Sequence, residues 1–229
     1  MTLDDGNARR VPGVSSWRAP AAGAAVLLVL LGVFVGLALA ATDGSVAVDQ
    51  PVMMWVHGAT TPWLTAAAET ASYLGGHVVL VASVVIALLL CVLRRFGGAF
   101  LVLAAVYGSS RLNVAFKAAF ERTRPDFWEH MSAENTFSFP SGHAMGSMSI
   151  AAPLVVLAWG TRFRWAVLAV AVVYVAAVGA SRVYLGVHFP SDVFAGWSLA
   201  VLWVGILVMV LVLVTRLLRR YAPALAEWV

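Results

Sequence analysis

Uncharged or nearly uncharged runs of apolar residues recur along the chain at lengths that fit a lipid bilayer. The hydrocarbon core is roughly 30 Å thick and a helix rises about 1.5 Å per residue, so about 20 apolar residues make one crossing. Ala21–Ala41 contains no charge, and further spans are predicted at Tyr73–Leu93, Phe96–Phe116, Ala144–Trp159, Trp165–Ala180 and Val193–Val214. Composition points the same way. Of 229 residues, 62% are hydrophobic and 11% charged, against roughly 45–50% and 25% in soluble domains. The expected fold is therefore all-α, an integral membrane bundle of six transmembrane helices.

Basic residues orient such a bundle, because Lys and Arg favour cytoplasmic flanks. Arg9, Arg10 and Arg18 precede the first span, Arg94 and Arg95 join the second to the third, Arg162 and Arg164 the fourth to the fifth, and Arg216, Arg219 and Arg220 follow the sixth. All fall on one side. The predicted layout is a cytoplasmic segment 1–20, a first transmembrane helix 21–41, an extracytoplasmic interfacial segment 42–72, a core 73–215 with five transmembrane helices, and a cytoplasmic tail 216–229. Met53, Met54, Trp55 and Trp63 suit the interfacial segment, since amphipathic groups sit comfortably at headgroup depth. Ala38-Leu39-Ala40 resembles a signal-peptidase site, but the apolar run exceeds the roughly 7–15 residues of a secretory signal core and is read as an uncleaved anchor. The net charge of +4 is spread in short clusters between spans, which argues for membrane orientation and against nucleic-acid binding. Cys91 is the single cysteine and reads as a packed lipid-phase residue.

Three outward-facing pieces carry the candidate chemistry: Lys117-Ala-Ala-Phe-Glu-Arg-Thr-Arg124-Pro125, then Phe139-Pro140-Ser141-Gly142-His143, then Ser181-Arg182-Val-Tyr-Leu-Gly-Val-His188-Phe-Pro-Ser-Asp192. Their content and order resemble the three signature motifs of the type-2 phosphatidic acid phosphatase family, shared with vanadium haloperoxidases, glucose-6-phosphatases and bacterial acid phosphatases. The resemblance runs from about Ser72 to Val214. It implies a lipid phosphatase with its active site at the extracytoplasmic ends of the last four spans, His188 as nucleophile and a phosphohistidine intermediate.

Residue chemistry leads to the same region. A transferring phosphoryl group spreads negative charge over its equatorial oxygens, so fixed cations and amide donors must surround it. Lys117, Arg124 and Arg182 supply three cations, and guanidinium groups donate paired hydrogen bonds to phosphate. Singly, each reads as a headgroup anchor. Together, on the side disfavoured for basic residues and beside two histidines, they read as a phosphate site. Ser141 is expected to cap the helix that follows and to donate to phosphate, while Gly142 allows close backbone approach beside the positive helix end. Asp192, four residues after His188, is expected to hold one ring nitrogen and leave the other to attack, with Pro190 opening the last helix. His143 is then the general acid, and later the base that activates water.

Other polar residues receive plainer readings. His57, His77 and His130 are structural; Arg111 and Asn113 lie near the outer end of the third span, where Asn113 could orient Lys117 from one helical turn away. Asp126, Phe127, Trp128, Glu129, His130, Met131 and Glu134 form a loop able to cover the site. Neither an HExxH pattern nor a cluster of carboxylates accompanies His143 and His188, and three cations already neutralise the charge, so catalysis with no metal or other cofactor is expected. Two alternatives stay open: a phosphotransferase using the same intermediate, and a non-catalytic anionic-lipid transporter or scramblase. Partners are the bilayer and a membrane lipid phosphate such as phosphatidic acid, phosphatidylglycerol phosphate or polyprenyl diphosphate. The expected location is the plasma membrane, with both termini cytoplasmic and the site facing the periplasm or exterior.

Overall fold

A computed structural model describes residues 20–42, 46–128 and 136–221. The cytoplasmic segment expected before residue 20, with Arg9, Arg10 and Arg18, lies outside the described residues. So do Glu129, His130, Met131 and Glu134, and the tail beyond Tyr221. Eight α-helices account for nearly everything described: α1 Pro20–Thr42, α2 Asp49–Gly58, α3 Pro62–Gly75, α4 His77–Val92, α5 Phe96–Phe120, α6 Gly142–Ala158, α7 Arg164–Tyr184 and α8 Pro190–Tyr221. Helices suit hydrocarbon because each satisfies its own backbone polar groups.

By length and composition, α1, α5, α7 and α8 are each able to cross a membrane, and α3 with α4 makes a fifth crossing if that bent pair is one span. The pair differs from the single run expected at Tyr73–Leu93. Its axis breaks by 47° between Gly75 and His77, where Gly76 has left the helical region and the Gly76 N–H closes a turn onto Tyr73 O. The expected interfacial segment is itself largely helical, as α2 and α3. Thr61 caps α3, its hydroxyl accepting from Leu64 N at 3.4 Å, and Pro62 occupies the first turn, where its missing N–H costs nothing.

α6 has 17 residues, and it packs against α5, α7 and α8. Ala144, Ser147, Ser149 and Ala151 are buried along it, and such small side chains let neighbouring backbones approach where hydrocarbon gives helices no reason of its own to associate. Gly196 on α8 completes one of these contacts: a Cβ there would lie 2.8 Å from Ser141 O. On the far side, α1 packs on α8 through Phe34, Ala38 and Ala41 against Ala195, Leu199 and Ala200. Lipid-facing surfaces remain apolar, with Val92, Val170 and Leu28 all well exposed.

Connections of only a few residues link α4 to α5 and α6 to α7, and they hold Arg94, Arg95 and Arg162. At the opposite end meet the C-termini of α5 and α7 and the N-termini of α6 and α8, which carry the three motifs. Gly196→Ala is expected to lower the thermal midpoint in detergent by an amount equivalent to about 1–3 kcal/mol, the usual cost of overpacking. Gly32→Ala, where a Cβ meets nothing within 4 Å, serves as the control. Equal midpoints for the two variants would count against the α6–α8 contact.

Candidate active site

The three motifs converge because each sits at a helix end and the loops between them are tied together. α5 ends after Phe120 as Glu121 adopts a left-handed conformation (φ 46°), its N–H bonding to Lys117 O at 3.0 Å. This turn sends Arg122 and Arg124 across the ends of α7 and α8. The return strand of the loop is fastened by Ser138 N to Arg122 O at 2.8 Å. Phe139 is fully buried against Phe34 and Phe120, with the Phe120 ring edge-on at 5.0 Å, which anchors the segment leading into α6. Ser141 N then donates to Asp192 O at 3.0 Å, joining the starts of α6 and α8.

His188 occupies the short connection between α7 and α8, 1% exposed. Its backbone N–H bonds to Arg182 O at 3.3 Å. Nδ1 lies 3.4 Å from Asp192 Oδ2, and since a carboxylate only accepts, this contact favours the tautomer with hydrogen on Nδ1. Nε2 then keeps its lone pair, and Arg124 Nη1 stands 3.2 Å from it. Burial pushes the His188 pKa down to about 4, opposed by Asp192 and assisted by the Arg124 and Arg182 cations. The ring is thus held neutral, the form a nitrogen nucleophile requires.

The cations are gathered on the same spot. Arg124 donates to Val187 O at 2.7 Å and to Thr136 O at 2.8 Å, while Lys117 Nζ donates to Thr136 Oγ1 at 2.8 Å and Phe137 O at 2.6 Å. Arg182, 1% exposed in the last turn of α7, donates to Ser72 Oγ at the end of α3. Ser141 differs from expectation in one respect. It occupies the N-cap position of α6, but its hydroxyl makes no capping bond, and Oγ is buried with no hydrogen-bond partner among the described residues. The first i→i−4 bond of α6 runs from Met145 N to Ser141 O, so the first-turn amides lie outside the helical ladder. A buried hydroxyl beside these amides, itself unengaged, is suited to donate to an anion. His143 lies in that first turn, close enough to α3 and α4 that a Cβ on Gly76 would come 3.0 Å from its Nε2.

Asn113 ties α5 to the loop before α6. Its amide donates to Pro140 O at 3.0 Å rather than orienting Lys117, and a Cβ on Gly142 would lie 3.1 Å from its Oδ1. Gly142 therefore makes room for a side chain that pins the loop. Arg111 is exposed on α5, and His77 is exposed at the start of α4. His57 stacks on Trp128 with ring centroids 4.1 Å apart.

Sequence reasoning passes over Arg122, Asp49 and Ser138. Arg122 donates to Asp192 Oδ1 at 2.5 Å and to Asp49 Oδ2 at 3.0 Å; Ser138 Oγ donates to Asp192 Oδ2. Arg122 satisfies the criterion that picked out Arg124, a cation on the outward side. Asp49 is 142 residues from Ser191, its other partner, and no spacing signals such a contact. Among the described residues no group of three His, Cys, Asp or Glu side chains converges as a metal cage would require.

A sequence profile of the PAP2 superfamily matches residues 98–216. Phosphatidylglycerophosphatase B of Bacillus subtilis is 36% identical over 150 residues, covering 62% of this chain and 72% of that one. The lipid A 1-phosphatase of Rhizobium johnstonii is 32% identical over 135 residues, 55% of this chain and 52% of that one. The crystal structure of a transmembrane PAP2-type phosphatidylglycerolphosphate phosphatase from Bacillus subtilis is similar at a TM-score of 0.70 and 31% identity, covering 79% of this chain and 93% of that one.

The buried, neutral His188 has a consequence for stability. Its folded pKa of about 4 lies below the unfolded value of 6.5, so between those pH values the unfolded chain binds a proton that the folded chain refuses. Stability from this group is intact above pH 6.5 and falls as pH drops toward 4. Thermal unfolding in detergent at pH 7.5 and pH 4.5 is expected to show a larger loss for wild type than for His188→Gln; equal losses would contradict a neutral buried ring.

Proposed function

The chain belongs to the PAP2 superfamily, and from that premise we propose that it is a metal-independent lipid phosphatase working through a phosphohistidine on His188. The observation that carries this reading is the orientation of the imidazole, with Nδ1 toward the Asp192 carboxylate and Nε2 toward the Arg124 guanidinium. A phosphate drawn in by Arg124, Lys117 and Arg182, and accepting from Ser141 Oγ and the first-turn amides of α6, meets the Nε2 lone pair.

In the first half-reaction an Nε2–P bond forms as the bond from phosphorus to the leaving oxygen breaks, and His143 gives that oxygen a proton. Asp192 stabilises the charge that develops on the ring. In the second, His143 takes a proton from water, the hydroxide oxygen bonds to phosphorus, and the Nε2–P bond breaks to release inorganic phosphate. Three fixed cations do the charge neutralisation that a metal ion does elsewhere.

The substrate is a phosphate monoester or diphosphate of a membrane lipid: phosphatidic acid, phosphatidylglycerol phosphate or a polyprenyl diphosphate. An apolar groove of about 600 Å³ between α4, α6 and α7 supports the lipid assignment. Leu74 at its upper end is two residues from Gly76, beside His143, and the lining continues down α7 through Tyr174, Ala171 and Val167 to Phe163. A tail lying there keeps its contacts with hydrocarbon while the headgroup reaches His188. In this reading α6, at about 26 Å, is the sixth crossing, its shortness compensated by burial among its neighbours. The arginine-bearing connections face the cytoplasm with both termini, and the site opens to the periplasm or exterior across the plasma membrane.

Purified wild type in detergent with a chelator is expected to release phosphate from these lipids, and His188→Ala to be slower by about 10³-fold or more. Equal, slow release by both would sink the enzyme reading. Ala171→Trp is expected to raise KM for a long-chain lipid phosphate about tenfold, some 1.4 kcal/mol, and to leave a short-chain soluble analogue unaffected. If both substrates suffer alike, the tail does not lie in the groove.

A further inference from the structure

Asp192 is 0% exposed, and a buried carboxylate orients its neighbour only if it cannot itself rotate. Oδ2 is shared by three donors: Ser138 Oγ, Phe189 N at 2.9 Å, and His188 Nδ1 at 3.4 Å. Oδ1 has a different partner, Arg122 Nη1 at 2.5 Å. The guanidinium is held in turn. Nη2 donates to Asp49 Oδ2 at 3.0 Å, Nη1 also reaches Ser191 Oγ at 2.8 Å, and Cζ lies 4.1 Å over the Phe189 ring. Asp49 completes the ring of contacts, accepting from Ser191 N at 2.9 Å and Ser191 Oγ at 2.5 Å, so a carboxylate from α2 caps the first turn of α8.

We propose that Arg122, gripped by Asp49, is a positioning residue for the phosphatase reaction: it locks the Asp192 carboxylate so that Oδ2 faces His188 Nδ1. The proposal rests on the reading of His188 as nucleophile and extends it to two residues outside the three motif assignments. The roles of the site's arginines divide by what they touch. Arg124 touches His188 Nε2, where phosphorus must arrive. Arg122 instead contacts Asp192, Ser191, Asp49 and Phe189, and it is buried there. Arg122 therefore acts on the orientation of the nucleophile, and its loss should appear in the chemical step and not in capture of the phosphate.

The test compares wild type, Arg122→Gln, Arg122→Lys and Asp49→Asn in mixed detergent micelles, on whichever of phosphatidic acid, phosphatidylglycerol phosphate and polyprenyl diphosphate wild type hydrolyses fastest. Rates are expressed per folded molecule, from thermal midpoint and size-exclusion profile. Arg122→Gln is expected to lower kcat about 100-fold, the cost of a small misplacement of a reacting group, with KM changed less than about threefold. Arg122→Lys recovers part of that loss by restoring a cation without the fork, and Asp49→Asn lowers kcat about tenfold at unchanged KM. Wild-type kcat per folded molecule in Arg122→Gln overturns the proposal, and so does a raised KM with unchanged kcat, which would make Arg122 a phosphate ligand. If Arg122→Gln does not fold, Asp49→Asn decides: a lowered kcat at constant KM supports the proposal and a wild-type kcat overturns it. Wild type that releases no phosphate overturns the phosphatase reading and this proposal with it; an active wild type with indifferent variants overturns this proposal alone.

Discussion

A fully buried carboxylate at the start of a membrane helix is the constraint around which the motif-bearing end of this bundle is arranged. An isolated charge there would be costly enough that the site could not persist, and removing one partner of a buried pair costs about 3–5 kcal/mol in well-studied cases. Asp192 avoids that cost through a guanidinium, a hydroxyl, a backbone amide and an imidazole. Those donors come from the segment after α5, the segment before α6, and the connection into α8. The helices carrying them have to end where they do, so the same interactions that make the carboxylate tolerable also bring the three motifs together.

The bilayer explains the remainder of the architecture. Its interior gives apolar side chains no reason to leave lipid for protein, so association depends on close packing and on polar contacts at helix ends. The small residues of α6 and the contact of Gly196 with Ser141 O supply the first. The knots around Arg122 and Arg124 supply the second. A short central helix is acceptable because neighbours cover most of it.

Much of this was legible in the sequence, for identifiable reasons. Hydrophobic runs mark helices directly, and α1, α5, α6, α7 and α8 lie where the runs do. Arg124, Arg182 and His188 stand out because cations and an imidazole on the side predicted to disfavour basic residues need a reason to be there, Asp192 by its spacing of four from His188, and Ser141 as the cap before an apolar run. What the sequence hid depends on contacts distant along the chain or on turn geometry. Gly76 looks like part of an apolar run, yet it bends the axis between α3 and α4. Asn113 and Lys117 share a helical face, yet Asn113 turns to Pro140 O. Arg122 reads as filler between Lys117 and Arg124 until Asp49, 73 residues earlier, is brought beside it.

The tie between Asp49 and Ser191 also bears on the order of assembly. A chain entering the membrane from its N-terminus delivers α2 early and α8 last, and 142 residues separate the two partners. The Arg122–Asp192 contact and the Asp49 cap on Ser191 both need α8 in place. The hold on Asp192 is therefore a property of the completed bundle, acquired when its last helix packs.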